Sequence, residues 1–349
     1  ERCTNKKEQR MKVLFTTLMV FVLFISIPDL KAQDKNWFNI YGFVMTDIGY
    51  NAKQINADWY DVVRPTKLPT FENEFGTDGN TYFSARQTRF GVQSGVQTGL
   101  GELFTQFEWE LFGVGVDAGQ TTIRLRHAYG QLGHFGVGQY WSPFMDIDVF
   151  PNSVEYWGPN GMAFFRNIQF RWMPIMGDTR LTIALERPGA SADGGVYSGY
   201  SQLANVNARF PVPDLSAEYR SAHDWGYLEI AGIVRYIKWE DSAPTANLDL
   251  SGDDLGWGLN LSSNLYLNKD NLFRLSVLYG EGVENYMNDA PVDVAIESDT
   301  TNGEVTIKGV ALPVFGAVVF FEHNWSEKFS STVGWSMLSI DNSNSQNFD

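Results

Sequence analysis

The sequence predicts an all-β fold, a transmembrane antiparallel β-barrel, on three observations. Apolar and polar residues alternate with a period of two along most of the chain, as in strands with one oily and one wet side. Beyond residue 33 no apolar stretch keeps a helical period. The links between the alternating stretches are in turn short and long, the pattern of a barrel with tight turns at one rim and loops at the other.

The chain opens with residues 1–10, read as upstream sequence, before Met11. Lys12, the apolar run Val13–Ile27 and the small residue Ala32 then fit a secretory signal over 11–32. Its apolar core is too short for a membrane-spanning helix. The one cysteine, Cys3, precedes the signal, so the exported chain has no thiol for a disulfide, a Cys-ligated metal site or a lipid anchor. The whole chain carries 26 Lys+Arg against 41 Asp+Glu; residues 1–33 hold six and three of these, leaving 20 against 38, a net −18. That acidity argues against nucleic acid as a partner. An aromatic content of 15% and 33 glycines argue against disorder.

Thirteen strands are expected, at 38–50, 82–97, 101–112, 121–132, 135–140, 164–173, 179–187, 212–221, 226–238, 254–266, 271–281, 305–322 and 328–340. In the third, Leu103, Phe107, Trp109 and Leu111 face one way and Gln106, Glu108 and Glu110 the other. In the fourth, Ile123, Leu125 and Tyr129 oppose Arg124 and Arg126. In the sixth, Ile168, Phe170 and Trp172 oppose Asn167, Gln169 and Arg171. The tenth sets Leu255, Trp257, Leu259 and Leu261 against Gly256, Gly258, Asn260 and Ser262. Short links fall near 98–101, 133–134, 173–178, 222–226, 267–271 and 324–328, and long ones near 51–81, 113–120, 141–163, 188–211, 239–253 and 282–304. They alternate strictly if Pro211-Val212-Pro213-Asp214 is the rim end of a strand rather than a hairpin, a position where proline is tolerated. Short turns inside and long loops outside place residues 33–349 in the outer membrane of a Gram-negative cell. A thirteenth strand then runs outward, so the barrel is expected to need further C-terminal strands to close.

Two features of the wet face bear on function. Arg89, Arg124, Arg126 and Arg171 share it, since an arginine facing lipid costs on the order of 2–4 kcal/mol. Strict parity puts Arg86 and Arg166 on the other face, and a bulge or a place beyond the bilayer would bring them in. These six line the expected pore with Glu108 and Glu110. Two readings stay open: arginines that only pair with those acids, or a wall that attracts anions. The link from Trp141 to Pro159 is the second feature, too aromatic and apolar for free solvent. The segment 141–163 is expected to fold back as a constriction, with Asp146, Asp148 and Glu155 facing the arginine wall. The acidic link 281–304 has no Lys or Arg and reads as a solvated loop that gathers divalent cations at most electrostatically.

Tyr41-Gly42-Phe43-Val44, Ala85-Arg86-Gln87-Thr88-Arg89-Phe90-Gly91, Arg124-Leu125-Arg126-His127-Ala128-Tyr129-Gly130 and Gly138-Gln139-Tyr140-Trp141-Ser142-Pro143-Phe144-Met145-Asp146 resemble the DcaP-like outer-membrane porin family. The resemblance covers essentially the whole exported chain and is strongest over 82–172. It implies a barrel of about sixteen strands, so three would be missing, and a homotrimeric diffusion channel that favours small anionic solutes, dicarboxylates included. It implies no cofactor. Asp34–Asn39 is too short for the N-terminal coiled coil that family members can carry. An exported β-sandwich or carbohydrate-binding surface protein is the alternative, with its apolar residues facing each other between two sheets. No enzyme is expected: His127, His134, His223 and His323 lack metal-ligand spacing and read as surface or interfacial, and no nucleophile elbow is present.

Overall fold

The computed structural model describes residues 36–245, 248–301 and 304–346. The expected signal at 11–32 and residues 1–10 lie outside them. Nineteen strands follow one another: β1 (Trp37–Phe43), β2 (Asp47–Asn51), β3 (Asn80–Ser84), β4 (Arg89–Thr98), β5 (Gly101–Phe112), β6 (Thr121–Leu132), β7 (Phe135–Trp141), β8 (Arg166–Ile175), β9 (Arg180–Glu186), β10 (Ala192–Asp193), β11 (Val206–Arg209), β12 (Asp214–His223), β13 (Gly226–Asp241), β14 (Gly252–Asn268), β15 (Asn271–Glu281), β16 (Val294–Thr301), β17 (Glu304–Ala311), β18 (Pro313–Asn324) and β19 (Ser330–Ile340). One large sheet runs in the order β1-β4-β5-β6-β7-β8-β9-β12-β13-β14-β15-β18-β19, with every neighbouring pair antiparallel.

The faces of this sheet are inverted relative to a water-soluble protein. Leu103 and Phe107 on β5, Ile168, Phe170 and Trp172 on β8, and Leu255, Leu259 and Leu261 on β14 are all exposed. Their neighbours Glu108, Glu110, Asn167, Gln169, Arg171, Asn260 and Ser262 are buried. Exposed apolar surface costs about 25 cal/mol per Å² in water, so so wide an oily band suits a lipid surround. The sheet curls around the polar side. Arg64, in the link after β2, reaches Asp289, in the link after β15, with Nε to Oδ1 at 2.7 Å, although the separate β2–β3 ribbon lies in sequence between β1 and β4 at one end of the sheet and β15 lies near the other.

Five links are tight, between β4 and β5, β6 and β7, β8 and β9, β12 and β13, and β14 and β15; the turn between β18 and β19 joins them at the same rim. The other rim carries the long links. Phe210–Pro213 does not reverse the chain: β11 and β12 both pair antiparallel with β13, Arg209 opposite Lys238 and Leu215 opposite Val234. Two expected strands divide. The stretch 38–50 breaks into β1 and β2, and 82–97 into β3 and β4, where the hydroxyl of Thr88 bridges the N–H and C=O of Met45 across both kinks. The expected strand 305–322 is two elements. β17 folds back on β16 as a hairpin of the outer rim, and the sheet strand begins only at Pro313, which lacks the N–H to continue a ladder.

Candidate functional site

Four guanidinium groups converge on one carboxylate where β4, β5, β6 and the start of β8 meet. Glu110, fully buried, lies 2.6 Å from Arg126 Nη1, 3.5 Å from Arg89 Nη2, 3.5 Å from Arg124 Nη1 and 4.0 Å from Arg166 Nη2. Glu108, two residues earlier on the same face, accepts from Arg126 Nε at 2.6 Å and from the Tyr41 hydroxyl at 2.7 Å. Arg89 Nε also lies 3.8 Å from Glu108. Four cations against two anions leave a positive surplus. Among the described residues, Arg89 Nε and Arg166 Nη1 are buried with no hydrogen-bond partner, as is one carboxylate oxygen of the cluster, Glu110 Oε1. The Arg89 and Arg124 side chains are 26% and 28% exposed, so a solute can reach them.

A bulge assembles this cluster. Glu108 pairs with His127 while Trp109 pairs with Leu125, which makes Arg126 the extra residue on β6. The extra residue lets Arg126 and His127 both turn inward, and it reverses the parity of everything after it. Tyr129, expected on the oily face, is therefore buried on the polar one. His127, expected at a surface or interface, is buried too, its ring 4.8 Å from both Tyr140 and Trp141.

The remaining expected arginines divide. Arg166 joins the cluster although parity put it outside, because it sits at the first position of β8, with its guanidinium 5.1 Å from the Trp141 ring. Arg171 stays apart: Nε and Nη2 donate to Gln169 Oε1 at 3.1 and 2.8 Å, Nη2 also donates to the carbonyl of Trp141, and the group lies 4.9 Å over the Tyr140 ring. Arg86 does not line the lumen. It is enclosed, paired with Asp61 and stacked 4.1 Å over Phe112, because Ala85–Thr88 turns out of the ladder just before β4. Burial without solvent access makes it a tether for the link 52–79.

The segment between β7 and β8 lies along the polar face of β12–β19. Asp146 accepts from Arg220 Nη2 on β12 at 2.7 Å, the Tyr227 hydroxyl on β13 at 2.6 Å and the Ser262 hydroxyl on β14 at 2.7 Å. Asp148 accepts from Arg220 Nη1 at 2.6 Å. Further on, the N–H of Asn152 donates to Glu322 Oε1 at 2.6 Å, and the N–H of Gly161 to the Ser336 hydroxyl at 2.9 Å. At Gly161 a side chain has no room, since a Cβ would come 2.1 Å from the carbonyl oxygen of Met337 and 2.5 Å from that of Ala317. Backbone thus lies directly on backbone there.

This placement corrects the expected partners. Asp146 and Asp148 meet Arg220, not the cluster around Glu110. Among the described residues Glu155 meets no arginine: it accepts from the N–H of Trp157 at 3.0 Å, and burial, with Asp61 and Asp47 nearby, pushes its carboxyl up. The next residue, Tyr156, stacks on Phe112 at 4.4 Å, and burial and Glu110 push its hydroxyl up to about 12. Arg220, Arg180 and Arg235 are residues that sequence reasoning passed over, and Arg274, which alternation sets on the wet face opposite Phe273 and Leu275, joins them. Each faces the polar side and pairs with acids, Arg180 with Glu218 and Glu229, Arg235 with Asp214 and Asp293, Arg274 with Glu322. Alternation in Leu215-Ser216-Ala217-Glu218-Tyr219-Arg220 could have found the first of them. Among the described residues no cluster of His, Asp and Glu has the geometry of a metal site.

The family described as DcaP outer membrane protein matches residues 29–271. The fold is similar to the crystal structure of the outer membrane channel DcaP of Acinetobacter baumannii, with a TM-score of 0.69 and 18% identity over 89% of this chain and 81% of that one. It is also similar to the outer-membrane expressed OmpT of Vibrio cholerae, with a TM-score of 0.50 and 10% identity over 90% of this chain and 79% of that one. No curated protein matches the sequence.

Proposed function

This chain belongs to the DcaP outer membrane protein family and is a β-barrel porin of the Gram-negative outer membrane, and from that premise we propose that it passes small anions, carboxylates and dicarboxylates among them, in preference to cations. One observation carries the proposal. Arg89, Arg124, Arg126 and Arg166 outnumber Glu108 and Glu110, and two of their N–H groups are buried without an acceptor. A guanidinium fork matches a carboxylate and holds it reversibly when several forks lie in series. The arginines of β12–β15 add little field of their own, because each faces one or more carboxylates.

In this reading the segment 141–163 narrows the lumen. Its anchors on Arg220, Ser262 and Ser336 hold it against one wall and leave the wall with Arg89 and Arg124 open to solute. Selectivity then rests on that cluster rather than on the acidic outer loops. Trimerisation through the oily outer face of the barrel wall belongs to the same proposal. The sandwich alternative fits poorly, since the apolar residues of β5, β8 and β14 face outward instead of one another.

Reversal potentials in a salt gradient across a planar bilayer test the proposal. A unit charge 4 Å away is worth about 1 kcal/mol even in bulk water, so Arg124→Ala is expected to lower the anion-to-cation permeability ratio about fivefold. Cation preference in the unsubstituted channel, or a ratio that Arg124→Ala and Arg89→Ala leave unchanged, would overturn it.

A further inference from the structure

We propose that the lumen wall between the Glu110 cluster and the rim of tight turns is a binding track for a neutral saccharide. Three rows of side chains cross β1, β4 and β5 there. In the first, Trp37 lies opposite Gly95, and Gly95 opposite Phe104. In the second, Asn39 lies opposite Gln93, and Gln93 opposite Gln106. In the third, Tyr41 lies opposite Gly91, and Gly91 opposite Glu108. Residues two apart on a strand share a face, so all three rows look into the lumen with Glu108 and Glu110. The first row adjoins the turn between β4 and β5, and the third borders the cluster, where Glu108 meets Arg126 at 2.6 Å.

Two glycines make platforms of the aromatic rings. A Cβ on Gly95 would come 2.1 Å from the indole nitrogen of Trp37, and one on Gly91 2.3 Å from Cζ of Tyr41. Each ring therefore rests against the backbone of β4 and turns its other side to the lumen. Glu102 Oε2 accepts from Trp37 Nε1 at 3.2 Å, and Glu108 Oε2 from the Tyr41 hydroxyl at 2.7 Å, which holds both rings in that pose. Trp37 stays 39% exposed, on the wet side of the sheet rather than in its oily belt. The face of such a ring is negative, and it attracts the C–H bonds that line the apolar face of a pyranose.

The amide row lies between the platforms, about 7 Å from each along the strand. Asn39 is exposed and Gln93 half-buried, and among the described residues neither side-chain amide bonds to the chain. An amide donates and accepts, as a sugar hydroxyl does, so a sugar can replace the water on these groups without losing hydrogen bonds. Charge argues for a neutral ligand. The first two rows hold no ionisable residue, and Glu102 beside them has no basic partner among the described residues. An anion finds nothing here to hold it. The platforms stand about 13 Å apart along β1, room for a chain of sugar rings rather than for one.

Single-channel currents through the full chain in a planar bilayer test the track, with maltotriose as the probe. The sugar is expected to interrupt the current in discrete blocks whose frequency rises with its concentration. Sorbitol, which has the hydroxyls but no ring, should not. Trp37→Ala and Gln93→Leu should each raise the half-blocking concentration about fivefold, through loss of one stacked ring or one hydrogen bond. Gln93→Leu alters only the lumen surface, so it decides the matter even where Trp37→Ala fails to insert. Equal block by sorbitol, deeper block by choline than by maltotriose, or an unchanged half-blocking concentration in Gln93→Leu would overturn the proposal. Reversal potentials keep it apart from anion selectivity. Arg124→Ala should leave the block by maltotriose in place, and Gln93→Leu should leave the anion preference in place, so either reading can fail while the other stands.

Discussion

Asp146 Oδ1 lies 2.7 Å from Nη2 of Arg220, a bond between residues 74 apart in sequence. It joins the segment after β7 to the wall at β12, and the hydroxyls of Tyr227 and Ser262 complete the socket on Asp146 Oδ2. Removing one partner of a buried ion pair costs about 3–5 kcal/mol. Asp146→Ala is therefore expected to free the segment while the barrel wall persists. Single-channel records should show a larger, noisier conductance, and proteolysis should cut between residues 142 and 165. A quiet channel of unchanged conductance would mean that the anchors at Asn152 and Gly161 suffice.

Arg86→Ala should separate structure from selectivity. The side chain is fully buried on Asp61 and Phe112, so its loss leaves a buried carboxylate unpaired. Unfolding in detergent is expected at lower temperature, by an amount equivalent to about 3 kcal/mol or more. The reversal potential should stay at the unsubstituted value. A shift like that of Arg124→Ala would show that Arg86 faces the solute after all.

Glu110→Gln tests the sign of the central cluster. The substitution removes the negative charge that four guanidiniums share, so anion preference should rise while folding stability falls. Raising salt from 0.1 to 1 M shortens the screening length from about 10 to about 3 Å, which should shrink the difference between variant and unsubstituted channel. A preference that is flat in salt would point to size rather than charge as the filter.

Much of this architecture is legible in sequence, and what escapes does so for physical reasons. Residues 101–112, 121–132 and 271–281 are strands to the residue, each bounded by a tight turn at one end and a polar link at the other. The stretch 305–322 misleads because β17 and β18 share one period and only Leu312 stands between them. Tyr129 misleads because a bulge at Arg126 shifts the phase, and period counting cannot see an extra residue without its partner strand. The arginine cluster was visible as a group, since a charge on a lipid-facing strand has few places to go. The partner of Asp146 is not, because nothing local distinguishes Arg220 from Arg124 as its donor of choice. Curling of the sheet decides that contact, and curling is a property of the whole chain.

Glu284 carries the remaining prediction. It sits in the link after β15, fully buried, with neither carboxylate oxygen hydrogen-bonded among the described residues, and burial together with Asp293 pushes its acid up to about 9. In the unfolded chain the same group ionises near 4.5. Between those values the unfolded state gives up a proton that the folded state keeps, so stability falls as pH rises, by at most about 1.4 kcal/mol per pH unit. Below the lower value both states are protonated and the penalty vanishes. Above the upper one it is complete. Glu284→Gln should therefore stabilise the chain most at alkaline pH and least near pH 4. Thermal unfolding of both forms across that range checks it, and a stability difference that does not grow with pH would show that Glu284 is ionised in the folded chain.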